Sequence, residues 1–174
     1  LIEASLSGRA SPVATSITLS ATSLSFASLG QTQQLTATVK DQNGATMGGA
    51  TVTWASATTG VATVSSAGLV TAVGNGTASI LAASGSVNGT ATVTVAQVVS
   101  TLDVSPSTST FASLGDTLML SATAKDSGGS AISDATVTWA TSDALIATVT
   151  SDGLVTAVAV GIVDITATSG SATG

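Results

Sequence analysis

Cysteine, histidine and tyrosine are absent from this 174-residue chain, proline occurs twice, and the only cations are Arg9, Lys40 and Lys125. Each gap removes a class of activity. Without cysteine there is neither a disulfide nor thiol chemistry, and without histidine the commonest general base and most transition-metal sites are lost. Three cations against nine acids, a net charge of -6, leave nothing to neutralise phosphates. No nucleic acid is therefore expected as a partner, and no polybasic contact with a membrane. No run approaches the roughly 18 apolar residues of a membrane-spanning helix, so no membrane insertion is expected either. The aromatic residues are Phe26, Trp54, Phe111 and Trp139 and no others. The chain opens on Leu1 with no initiator Met and no secretory pattern, as expected of a mature product or an excised piece.

What is present in their place is a repeat. Ala50-Thr51-Val52-Thr53-Trp54-Ala55 returns 85 residues later as Ala135-Thr136-Val137-Thr138-Trp139-Ala140. Phe26-Ala27-Ser28-Leu29-Gly30 returns as Phe111-Ala112-Ser113-Leu114-Gly115, and Gly68-Leu69-Val70-Thr71-Ala72-Val73 as Gly153-Leu154-Val155-Thr156-Ala157-Val158. Of the 74 positions aligned between 16–89 and 101–174, 36 are identical without a gap. The chain is a tandem array of one module. The expected division is 1–12, an N-terminal extension or a strand belonging to another domain; 13–97, the first domain; and 98–174, the second, with Gln97-Val98-Val99-Ser100 as a short connector. Duplication adds length and valency but builds no new active site, so a mechanical or display role is favoured over chemistry.

Ser and Thr make up 58 of the 174 residues. Thr and Val favour pleated, half-buried strands, and small apolar residues alternate with hydroxylated ones through 33–39 and 90–96. Strands are expected over 16–20, 31–40, 50–56, 61–64, 68–73, 77–83 and 90–97, separated by turn-forming sequences at Asp41-Gln42-Asn43-Gly44, Ser65-Ser66-Ala67-Gly68, Gly74-Asn75-Gly76 and Asn88-Gly89. Seven short strands with no amphipathic helix between them imply an all-β chain of two β-sandwiches. Each core is expected to be thin, centred on Phe26, Leu35 and Trp54 in the first copy and on Phe111, Leu120 and Trp139 in the second. A sugar-stacking role for Trp54 would need it on a solvent face with further aromatics nearby, and the sequence supplies none.

The stretch from Val61 to Ile80, with Gly68-Leu69-Val70-Thr71-Ala72-Val73 at its centre, strongly resembles the bacterial immunoglobulin-like group 2 module. Its second copy, Ile146 to Ile165, keeps the skeleton, with Asp152-Gly153-Leu154-Val155 at the turn. Val52-Thr53-Trp54 and Val137-Thr138-Trp139 resemble the Trp-bearing strand of that family. The resemblance implies two tandem immunoglobulin-like sandwiches. It also implies a place among modules of intimin- and invasin-like adhesins, other repeat-bearing surface proteins, secreted polysaccharide enzymes or phage virions. Fold is implied closely and job loosely.

Two departures from a complete pair stand out. The counterpart of strand 90–97 falls near 175–182, beyond Gly174, so the second sandwich is expected to lack its own last strand and to expose an apolar groove and unpaired edges. At the other end Leu1 to Ser7 alternates, with Ile2, Ala4 and Leu6 on one side, as a spare strand would. Three accounts are open: a window cut from a longer array, donation of residues 1–7 to the second module of the next subunit, or a six-stranded variant. Donation of that kind would give an open head-to-tail polymer.

No catalytic, cofactor-binding or metal-ligating residue is assigned. Lys40-Asp41 and Lys125-Asp126 are expected to be solvated hairpin corners. Seven of the nine acids lie in the second copy. Calcium at a module end, through Asp143 or Asp103, is the ligand alternative, but no D-x-D-x-D run supports it. Asn75-Gly76-Thr77 and Asn88-Gly89-Thr90 match the glycosylation sequon and are expected to be turns. The expected role is that of a non-catalytic rod or spacer in an extracellular surface adhesin or filament. Its partners would be neighbouring immunoglobulin-like domains or identical subunits. A carbohydrate-binding accessory module and a virion decoration or tail module are the alternatives.

Overall fold

In the computed structural model, residues 11–174 are described, and among them every regular element is a strand. The chain divides into two compact units, Leu1–Ser25 with Thr32–Val95, and Phe26–Gln31 with Ala96–Gly174. The segment Phe26–Gln31 thus belongs, by its contacts, to the second unit although it lies within the first repeat.

The first repeat carries nine strands: β1 (Ala14–Leu19), β2 (Ser23–Phe26), β3 (Thr32–Gln34), β4 (Ala37–Asp41), β5 (Thr53–Ser56), β6 (Ala62–Val64), β7 (Leu69–Ala72), β8 (Gly76–Ser84) and β9 (Val87–Val95). They form a four-stranded sheet in the order β2-β9-β8-β5, a three-stranded sheet β3-β7-β6 and the pair β1-β4. The long hairpin β8-β9 is the spine, paired antiparallel from Gly76↔Val95 to Ser84↔Val87. Its alternation decides the layers, because successive side chains on a strand face opposite ways. Ala78, Ile80 and Ala82 of β8 and Ala91, Val93 and Val95 of β9 are all buried, while the hydroxylated residues between them face out. Leu24 and Phe26 of β2, Val39 of β4, Val70 of β7 and Leu35 at the break between β3 and β4 close the core.

Three sequence expectations change here. The stretch 31–40 is two strands rather than one, broken at Leu35-Thr36, so that β3 pairs with β7 and β4 with β1. Strand β2, unforeseen, pairs with β9. Asn88-Gly89 is not a turn: it lies inside β9, opposite Ala83 and Ala82, and the hairpin turns at Gly85-Ser86 instead. Gly85 has φ of 59° and, among the described residues, no non-glycine residue has positive φ, the pattern of a two-residue turn with glycine first. Gly89 lies beneath β1, where a Cβ would meet Ile17 and Leu19 at 3.5 Å, an ordinary van der Waals contact.

The second repeat carries β10 (Thr101–Ser105), β11 (Thr117–Met119), β12 (Ser121–Lys125), β13 (Thr138–Thr141), β14 (Ala147–Val149), β15 (Leu154–Ala157), β16 (Ile165–Ser169) and β17 (Ala172–Thr173). The pairings repeat those of the first copy: β10-β12, β11-β15-β14 and β13-β16-β17. An offset of 85 places the counterpart of β9 at 172–180, of which only the first residues, β17, are in the chain. Two further differences from the first repeat stand out. The counterpart of β2, around 108–111, is not a strand. Strand β16 starts at Ile165, four residues late against β8, and Val160 and Ile162 are 96% exposed.

Candidate functional site

Two features of the second unit set it apart from a plain sandwich: a buried carboxylate turn and an open apolar groove. The turn follows β12. Asp126 is 2% exposed and its carboxylate accepts four hydrogen bonds. Its Oδ1 takes the N–H groups of Gly128 and Ser130, both at 2.9 Å, which folds the corner. Its Oδ2 takes the Leu29 N–H and the Gln97 side-chain amide, again both at 2.9 Å. Beside it the Ser127 hydroxyl donates to Ser28 Oγ at 3.1 Å. Burial works against the charge on Asp126, yet the donors from Gln97, Leu29, Ser130 and Gly128 outweigh it and hold the carboxyl below its ordinary value. Asp126 is therefore not the solvated corner expected from Lys125-Asp126; a carboxylate with two free lone-pair sites after closing its own turn is a ready acceptor for another loop's amides.

Asp41 is its twin in the first repeat and is also buried. Its Oδ1 closes the same turn, accepting the Asn43 and Ala45 N–H groups at 2.8 and 2.9 Å. The loop that reaches Asp126 has a twin as well. Ala27 and Ser28 donate their N–H groups to Gln31 Oε1 at 2.9 and 3.2 Å. In the second copy Ala112 and Ser113 donate theirs to Asp116 Oδ2 at 3.1 and 2.9 Å. Gly30 and Gly115, with φ of 76° and 86°, end the two loops in the same left-handed conformation. The two five-residue sequences are identical, yet Ser28 is 1% exposed and Ser113 is exposed, and Leu29 is half-buried while Leu114 is 64% exposed.

The groove is the slot that β9 fills in the first repeat. In the second it is an open cavity of roughly 600 Å³, lined by Phe111, Leu118, Leu120, Val155, Val163 and Ile165 among others. Ile80 is fully buried but its counterpart Ile165 is only half-buried, and Phe26 at 6% exposed gives way to a half-buried Phe111.

Of the other expected core residues, Leu35 and Leu120 are buried and Trp54 and Trp139 are half-buried. Trp139 packs against both apolar clusters of its repeat. Each indole lies against a glycine: a Cβ on Gly68 would stand 3.0 Å from the Trp54 ring, and one on Gly153 3.1 Å from that of Trp139. Ile2, Ala4 and Leu6 lie outside the described residues. Of the residues weighed for calcium, Asp103 pairs with Lys125 at 2.7 Å and Asp143 caps the Leu145 N–H at 2.9 Å. Among the described residues no three acidic side chains gather into a cation site, and no helix is long and apolar enough to cross a membrane.

Two tandem sandwiches with a Trp-glycine contact in each are matched by the model of the bacterial Ig-like domain (group 2), over residues 13–95 and again over 98–174. The chain belongs to that family. No curated protein matches it. Among solved structures it is similar to the surface layer protein SbsC, domains 1–6, at 26% identity and a TM-score of 0.43, over 94% of this chain and 27% of that one. The structure of SbsC domains 5–6 matches at 24% identity and a TM-score of 0.45, over 94% of each chain. Protocadherin Gamma B2 extracellular cadherin domains 1–5 match at 16% identity and 0.41, over 87% of this chain and 35% of that one. The chain thus spans about a quarter of the length of the first of these relatives.

Proposed function

We propose that this chain is a non-catalytic structural segment of a bacterial extracellular surface protein, an adhesin or filament, in which group 2 Ig-like modules act as spacers. The observation that carries the reading is the pair of equivalent sandwiches whose buried or part-buried carboxylates close their own turns and loops. The carboxylates of Asp41, Asp116, Asp126 and Asp143 each accept backbone N–H groups of their own turns or loops. A glycan-binding role is less well supported, because both indoles are packed against glycines within their sandwiches rather than presented as platforms.

The groove of the second repeat is read as the acceptor of an added strand with the alternation of Ala91, Val93 and Val95, all fully buried in the first repeat. Each valine so buried contributes about 1.5–3 kcal/mol. Ile2, Ala4 and Leu6 of another copy have the same spacing, and their donation would build a head-to-tail filament. Two measurements test this. A peptide of residues 90–97 added to the chain should raise the unfolding midpoint reported by Trp139 and leave that of Trp54 unmoved; no change at Trp139 overturns strand acceptance. Deleting residues 1–7 should abolish concentration-dependent assembly, and assembly that survives the deletion overturns donation by that segment.

A further inference from the structure

We propose that the Phe111–Gly115 loop is a docking surface for the carboxylate turn of a further module, one with an Asp-x-Gly-Gly corner like that of Asp126–Gly129, which accepts the Leu114 N–H. The pattern for this contact is present once already. The identical loop Phe26–Gly30 is covered by the Asp126 corner, with the Leu29 N–H on Oδ2 and Ser28 Oγ on the Ser127 hydroxyl. The second loop is closed from within in the same way, by Asp116 where the first has Gln31, and both loops end on a glycine of positive φ. A preformed loop binds without the cost of being ordered. What it lacks is the cover: Ser113 and Leu114 are exposed where Ser28 is buried and Leu29 half-buried.

The fit selects among corners. A Cβ on Gly128 would stand 3.0 Å from the Leu29 carbonyl oxygen and 3.8 Å from Ser28 Cβ, so the docked loop lies directly on a residue with no side chain. The Asp41 corner has Asn43 at that place, and Pro12 stands where the Asp126 corner has Gln97, whose amide is the second donor to Oδ2. A second copy of this chain offering Asp41 is therefore the poorer partner. The better one is a module resembling the second repeat, with Asp-x-Gly-Gly after its β12 equivalent and Gln in its leading connector. This inference does not rest on strand donation.

The period of 85 residues allows a direct test, because Gly174 corresponds to Gly89 and can be followed without a break by a second copy of residues 90–174. In the 174-residue chain the Leu114 amide should exchange with solvent near the open-chain rate, and in the extended chain it should slow by about tenfold or more. Asp126→Asn in the appended copy should cancel that slowing. The asparagine keeps the oxygen that closes the turn but sets an NH2 donor against the Leu114 N–H. The appended strand closes the groove with or without this substitution, so the difference between the two reads the turn alone. Gly128→Asn in the appended copy should reduce the slowing several-fold. An unchanged Leu114 rate in the extended chain overturns the proposal. In the 174-residue chain itself Asp126→Asn should release the Leu29 amide; continued protection there shows that the carboxylate does not hold the loop, and the proposal falls. Protection of Leu114 that grows with concentration in the 174-residue chain and vanishes in Asp41→Asn identifies a second copy as the partner and overturns it equally.

Discussion

A carboxylate whose charge survives burial must be paid back in hydrogen bonds, and Asp126 receives four. Its folded pKa is depressed, so the stability it contributes is present above the unfolded carboxyl value of about 3.9 and is lost as pH falls through the lowered folded value. The stability gap between the natural chain and Asp126→Asn, measured by urea unfolding, should be constant above about pH 5 and narrow steadily below about pH 4. A gap that does not change with pH would mean that the charge contributes nothing. In the sequence Asp126 and Asp41 look alike, each following a lysine at a corner. What separates them, the loop that reaches one of them, is nearly a hundred residues away in the chain for Leu29 and cannot be inferred from local pattern. Glycine is legible in part. Gly68 and Gly153 were readable as turn residues, but that a Cβ there would lie 2.5 Å from the Leu35 carbonyl oxygen and 2.7 Å from that of Leu120 is a packing fact. Gly153→Ala should cost well over the roughly 1–2 kcal/mol expected of Gly129→Ala, where positive φ is the sole obstacle and the space is open. Urea denaturation compares the two directly.

At the scale of elements, alternation located most strands because one face of each is buried, and period two is the mark of that. It could not locate the break at Leu35-Thr36, where the same alternation continues while the chain passes from β3, paired with β7, to β4, paired with β1. Nor could it locate the hairpin turn: Asn88-Gly89 and Gly85-Ser86 are both acceptable turn sequences, and the longer register with Gly89 beneath Ile17 and Leu19 prevails. The spine strands of the two copies should respond differently to truncation. Ile80→Ala leaves a hole in a closed core and should cost about 2–5 kcal/mol. Ile165→Ala, at a half-buried position lining the groove, should cost about half as much, since part of that side chain already meets solvent. Equal losses in the two variants, read by chemical denaturation, would show that the groove is closed in solution.

For the molecule as a whole the prediction concerns the order of unfolding. The two repeats share 36 of 74 aligned residues, including their Trp strands, but the second has the more exposed core. Each carries one tryptophan. In single-tryptophan variants, Trp139→Phe and Trp54→Phe, fluorescence should report a lower denaturant midpoint for the second repeat than for the first. Coincident midpoints would contradict the burial difference.

The residues alone determined that the chain is all-β and that it is built twice from one pattern, because alternation, turn glycines and an exact period are local or self-referential signals; its place among immunoglobulin-like modules was implied by the resemblance of residues 61–80 and 146–165 to that family. Only the tertiary structure decided which of two equal carboxylate corners is covered, which of two identical loops it covers, and how far β16 falls short of the length of β8. Those outcomes depend on contacts between segments far apart in the chain, and a hydrogen bond or a filled slot exists only when both sides are brought together.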